Sequence, residues 1–103
     1  MIVAIVSFRP QHPVSLKDAT SMFAQTAPKY LGRAGLVRKH YFVTETGDRL
    51  GGIYVWRSKA DAEACYDGDW RQMATNKYGA PPEIVYVQNP VVVDNVLGRI
   101  EKL

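Results

Sequence analysis

Two segments constrain what this chain can fold into. Ile2–Phe8 and Leu50–Arg57 are rich in β-branched and aromatic residues. In both, apolar side chains fall on odd and even positions alike: Ala4, Val6 and Phe8 against Val3 and Ile5, then Ile53 and Val55 against Tyr54 and Trp56. Successive side chains of a strand point to opposite sides of its sheet, so a sheet with one face in water alternates apolar and polar residues. These segments do not alternate, and the sheet they build is expected to be covered on both faces. A chain of 103 residues is one domain, and at that length only about two thirds of the unfolded surface is buried on folding. The second cover is therefore expected from another copy of the same chain, in a two-fold symmetric homodimer.

The remaining elements follow from local signals. Pro10 and Pro13 end the first strand. Ser15 with Asp18 reads as a capping box, and Leu16, Ala19, Phe23, Ala27 and Tyr30 recur at helical spacing, with Pro28 kinking the helix or starting its last turn and Gly32 stopping it. Gly35–Glu45 and Leu50–Arg57 form a hairpin around Thr46-Gly47-Asp48. Ser58 opens a second helix over Lys59–Tyr66, which Asp67-Gly68-Asp69 interrupts. Asp69 with Gln72 restarts it, placing Trp70, Met73, Ala74 and Lys77 on a second piece that Gly79 and Pro81-Pro82 end. Glu83–Gln88 is the fourth strand, Asn89-Pro90 breaks it, and Val91–Asp94 is a candidate extension at an edge. The order βαββαβ predicts an α+β, ferredoxin-like fold, a four-stranded antiparallel sheet with both helices on one face. The domain is taken as residues 1–95, with 96–103 as a C-terminal tail of open structure.

Several functions are excluded by what the sequence lacks. The net charge of +3 arises from 13 basic and 10 acidic residues scattered along the chain, which argues against a nucleic-acid partner. An RNA-recognition module shares the element order, and Arg38–Thr44 echoes its aromatic motif, but on the second strand rather than the third and without the glycine. The longest apolar runs, Ile2–Val6 and Val91–Val93, are far short of the roughly 18 residues of a membrane span, and no basic region precedes an apolar stretch. A cytoplasmic protein without membrane contact is expected. The lone Cys65 can form no internal disulfide, and His12 and His40 have no ligand partners at metal-binding spacing, so no metal is expected. Gly51-Gly52 opens a strand and lacks the lysine of a phosphate loop, and there is no Gly-x-Ser-x-Gly elbow.

What stands out is a polar and aromatic set, His40, Tyr41, Tyr54, Trp56, Tyr66, Trp70, Met73, Tyr78 and Tyr86. Such a set either packs the core with its polar tips at the rim or lines a small-molecule pocket. Arg38 and His40 share one parity, as do Tyr54 and Trp56. Whether His40 faces Tyr54 depends on the hairpin register, because a slip of one residue exchanges faces. The interruption at Asp67–Asp69 favours a cavity, since a broken helix packs less continuously on its sheet.

Gly51-Gly-Ile-Tyr-Val-Trp56, Trp70, Lys77-Tyr-Gly79, Pro82 and Asn89-Pro-Val-Val-Val-Asp-Asn95 together resemble the YdhR-like monooxygenases. That family lies in the dimeric α/β-barrel superfamily, with the antibiotic biosynthesis monooxygenases as relatives. The resemblance implies a homodimeric barrel with a pocket between sheet and helices in each subunit. It further implies oxygen insertion into an electron-rich aromatic substrate with no cofactor: the deprotonated substrate reduces dioxygen itself, while the protein binds, desolvates and stabilises the anion. On this reading His40 takes the proton, Arg38 holds the oxyanion, and Tyr54, Trp56, Tyr66, Trp70 and Met73 contact the small aromatic molecule. The alternative within the same superfamily is a barrel that binds its ligand without oxidising it, or rearranges it as a cyclase does.

Overall fold

The computed structural model describes residues 1–103. Strand β1 (Ile2–Phe8) leads through α1 (Leu16–Thr26) and a 3-10 turn (Ala27–Lys29) to the hairpin of β2 (Leu36–Val43) and β3 (Leu50–Trp56). Helices α2 (Lys59–Cys65) and α3 (Gly68–Tyr78) precede β4 (Glu83–Gln88), and β5 (Val91–Asp94) pairs with β6 (Arg99–Lys102). The main sheet is antiparallel throughout, in the order β2-β3-β1-β4. This is the expected ferredoxin-like α+β arrangement.

The helix starts follow the capping chemistry of the sequence. The Ser15 and Ser58 hydroxyls accept the backbone N–H groups of Asp18 and Asp61, each at 3.1 Å. At α3 the cap is Asp67, whose carboxylate accepts the Trp70 N–H at 2.8 Å, rather than the expected Asp69, which lies inside the first turn. The helix thus restarts one residue after the chain turns at Tyr66, and it stops at Gly79 in the left-handed conformation, with φ 77°. Residues 96–103, whose structure the sequence leaves open, form a turn and a strand. The Asp94 carboxylate accepts the N–H groups of Val96 and Leu97, Gly98 turns at φ 68°, and the chain returns as β6.

Register decides which side chains meet. Thr44 and Arg49 close the β2–β3 loop, with the Thr44 N–H donating to the Arg49 carbonyl at 2.9 Å, so four residues, Glu45–Asp48, make the turn. From there the pairing runs Val43 with Leu50, Tyr41 with Gly52, Lys39 with Tyr54 and Arg38 with Val55. A bulge at Val37 then lets Leu36 pair with Trp56. The row Lys39–Tyr54–Ala4–Tyr86 and the row Tyr41–Gly52–Val6–Ile84 face the helices. The rows His40–Ile53–Ile5–Val85 and Arg38–Val55–Val3–Val87 face away from them.

The core lies on the helix side, where Ala4, Val6, Phe8, Tyr54 and Trp56 pack against Ala62, Cys65, Tyr66 and Ala74. Trp56 is completely buried and donates its Nε1–H to the Tyr66 hydroxyl at 3.1 Å. A Trp56→Ala variant should lose about 3–5 kcal/mol of stability in denaturant titrations, because it opens a cavity and orphans that hydroxyl. Gly47 takes φ 73° with its carbonyl accepting the Val14 N–H at 3.0 Å, and a Cβ there would collide with the Val14 backbone. Gly47→Ala should therefore cost about 1–2 kcal/mol in the same assay. On the outer face, Ile5, Ile53, Val85 and Val87 are 37%, 38%, 55% and 41% exposed. One chain leaves the second apolar face of its sheet uncovered.

Candidate active site

The site is built around a residue that the sequence reading passed over. A lysine within a strand ordinarily points to water, but the four-residue turn directs Lys39 to the helix side, beside Tyr54. Its Nζ lies 3.5 Å from the ring centroid of Tyr30, 3.8 Å from that of Tyr41 and 4.4 Å from that of Tyr54. Tyr30 follows the 3-10 turn and its hydroxyl accepts the Trp70 Nε1–H at 2.9 Å, while the Tyr41 and Thr26 hydroxyls are hydrogen-bonded at 2.8 Å. These bonds fix two walls of an aromatic cage.

Lys39 has no ion pair, and no acidic side chain lines the cavity that it enters. Two effects oppose each other there. Burial strips the ammonium of water and brings its pKa down to about 7, partly offset by the nearby Cys65 thiol. The three ring faces attract the protonated form. Burial favours the neutral phenol at four tyrosines of this region, Tyr41, Tyr54, Tyr66 and Tyr78. Burial raises Tyr54 and Tyr66 far above the ordinary phenol value, raises Tyr41 despite its bond to Thr26, and brings Tyr78 to about 12. Burial likewise pushes the Cys65 thiol up.

The cavity holds about 20 Å³, room for about one water. Phe8, Phe23, Gly52, Tyr54, Trp70 and Met73 are among its walls, and Lys77 lies at it from α3. Gly52 leaves the sheet floor open, since a Cβ there would press on the Lys39 and Tyr54 side chains. Outside it, at the β2 edge, an open groove of about 240 Å³ is lined by Ala27, Leu31, Leu36 and Val37. Tyr30, Lys39 and Tyr41 border both, so they form the partition between groove and cavity.

Of the residues singled out from sequence, the structure brings Tyr54, Trp70 and Met73 to this cavity. Trp56 and Tyr66 stand behind them, with Tyr66 edge-on to Tyr54 at 5.3 Å between centroids. His40 and Arg38 are not with them. His40 pairs with Ile53 and Arg38 with Val55, so both are on the outer face, exposed, and neither lines the enclosed cavity. Arg38 borders the β2-edge groove beside Tyr30, Lys39 and Tyr41, and also a groove of about 310 Å³ against the β5–β6 hairpin. The Asp94 carboxyl in that groove is held below its usual range by the Leu97 and Val96 N–H groups and by Arg38 and Arg99. Lys39 and Tyr30 were legible in principle. Pairing outward from a four-residue turn puts Lys39 opposite Tyr54 and on its face, and Tyr30 ends the apolar stripe of α1.

No family model and no curated protein matches this chain. Its fold has solved counterparts. A monooxygenase from the gene ActVA-Orf6 of Streptomyces coelicolor, solved with nanaomycin D bound, superposes with a TM-score of 0.63 at 16% identity, covering 85% of this chain and 86% of the other. A Bordetella bronchiseptica protein assigned as an antibiotic biosynthesis monooxygenase superposes with a TM-score of 0.62 at 20% identity, covering 85% and 95%. The chain has the ferredoxin-like fold of these monooxygenases.

Proposed function

We propose that this protein is a YdhR-like, homodimeric monooxygenase that oxidises a small aromatic or polycyclic phenol or anthrone between sheet and helices, without a cofactor. The observation that carries the reading is the cage around Lys39: an amine with no acidic partner, walled by aromatic rings and bordering an open groove, on a fold shared with monooxygenases. The substrate enters the groove at the β2 edge and displaces Lys39 from the partition. In its neutral form Lys39 takes the acidic proton of the substrate, and the resulting ammonium stabilises the anion. With Lys39 displaced, the groove and the small cavity join into one space, in which the ring plane meets Tyr54, Trp70 and Met73, while Trp56 and Tyr66 support Tyr54 from behind. The electron-rich anion passes an electron to dioxygen, and collapse of the pair gives a hydroperoxide that loses water. For an anthrone the net change is CH2 plus O2 to C=O plus H2O. Lys39 takes the role that the sequence reading gave to His40.

The test is turnover of 1,8-dihydroxyanthrone followed by oxygen electrode. Uptake should exceed the protein-free rate and stop under argon. Since the neutral amine is the active form, the rate should rise with pH through about 7. A ligand altered at the same rate under argon would favour the non-oxidative or cyclase reading instead. The homodimer rests on the exposed outer-face residues Ile5, Ile53, Val85 and Val87, which a second sheet would cover. A cytoplasmic location belongs to the same proposal, and no helix is long and apolar enough to cross a membrane.

A further inference from the structure

We propose that Lys39 is also a carbonyl-capturing residue, forming an imine with aromatic aldehydes or ketones that enter the β2-edge groove. The proposal concerns a second chemistry at the cavity and does not require that the protein use oxygen.

An amine adds to a carbonyl only as the free base, and only if the carbonyl carbon can reach it. Lysines that do this are typically desolvated and lack an anionic partner that would hold their proton. Lys39 meets these conditions by placement. It lies between the rings of Tyr30, Tyr41 and Tyr54 with no ion pair, and the cavity walls contain no carboxylate. Burial also favours its neutral form. The groove on its open side is mostly apolar and wide enough for one aromatic ring, whose face the cage rings can meet. The other five lysines, Lys17, Lys29, Lys59, Lys77 and Lys102, are all exposed. Lys59 is further occupied by Glu63 at 3.9 Å. None of the five is enclosed by three rings.

The step balances without an oxidant or reductant. The Nζ lone pair forms a C–N bond to the carbonyl carbon, the C–O π bond breaks, and a proton passes from nitrogen to oxygen to give the carbinolamine. That hydroxyl takes up the remaining N–H proton and leaves as water as the C–O bond breaks and the C=N bond forms. The partner class is an aromatic aldehyde or ketone, and the adduct is reversible by hydrolysis.

The experiment uses the wild-type chain at pH 7 with 4-hydroxybenzaldehyde and sodium cyanoborohydride, which reduces the imine to a stable secondary amine. Peptide mapping by mass spectrometry then reads the rate at each of the six lysines. Lys39 should be labelled at least about tenfold faster than any other, and the preference should vanish in urea, where all six are equivalent. Labelling of Lys39 no faster than that of Lys17 or Lys29, or a preference for Lys77, overturns the proposal. So does a Lys39 preference that survives in urea, because it would then owe nothing to the fold. Oxygen uptake with the anthrone is a separate readout, so failure of one reading leaves the other measurable.

Discussion

Replacing Lys39 with methionine is expected to stabilise the fold while removing most of its activity. The sign follows from linkage. The folded-state pKa of about 7 lies below the unfolded lysine value of about 10.4. Between these pH values the unfolded chain therefore binds more protons, and stability rises with pH across that window. Below about pH 7 the folded protein carries the whole penalty of a desolvated ammonium, partly returned by cation–π attraction to three rings. Methionine fills similar space without a charge. Lys39→Met should gain on the order of 1–2 kcal/mol in denaturant titrations at pH 7, after discounting for the opposing ring attraction and residual solvent. Its stability should also lose the rise between pH 7 and pH 10. The same variant should lose about a hundredfold or more in turnover of the anthrone, the usual contribution of a positioned base. A stabilised, inactive protein marks a residue kept for function at a cost in stability. A destabilised variant would show that Lys39 is structural.

A charge placed on the outer sheet face should separate the proposed dimer without unfolding the chain. Ile53 sits in the central strand β3 between His40 and Ile5, and it is 38% exposed in the single chain. A monomer tolerates aspartate there, because water still reaches the position. A sheet-on-sheet interface does not, because the carboxylate would be buried among apolar side chains without a counter-charge. Wild-type protein should sediment at about 23 kDa, twice the 11.5 kDa of one chain. Ile53→Asp should sediment as a monomer with unchanged far-ultraviolet circular dichroism and a dimer dissociation constant raised about a hundredfold or more. Wild-type protein that sediments as a monomer at micromolar concentration would refute the dimer.

Much of the fold was legible because its signals are local. Ser15 and Ser58 cap the helices they precede, Gly79 ends α3, and the double apolar parity of β1 and β3 does correspond to two apolar sheet faces. The misplaced cap at α3 arose because Asp67 and Asp69 are equally good acceptors by type, and only the backbone path at Tyr66 distinguishes them. The strand β6 escaped notice because Arg99–Lys102 carries three charged residues and a single apolar one, Ile100. Its pairing comes from the turn that Asp94 and Gly98 make.

The site was legible in composition but not in placement. Tyr54, Trp70 and Met73 belong to the cavity, yet the polar residue among them is one position from the one expected. His40 and Lys39 are neighbours in sequence, and the faces they occupy depend on whether the turn spans three residues or four. The Thr44–Arg49 closure, reinforced by the Asp48 carboxylate accepting the hydroxyls of Thr44 and Thr46 at 2.6 and 2.8 Å, makes it four. Nothing in the strands themselves carries that information.

The proposed reaction of an aromatic anion with dioxygen takes place where the β2-edge groove meets the cavity at Lys39. Turnover of 1,8-dihydroxyanthrone under ¹⁸O₂, with the quinone product weighed by mass spectrometry, tests it most directly. One ¹⁸O atom is expected in each quinone, the second leaving as water, and this labelled product should be lost with Lys39→Met. A quinone formed at the protein-free rate, or one whose new oxygen comes from unlabelled water, would contradict it.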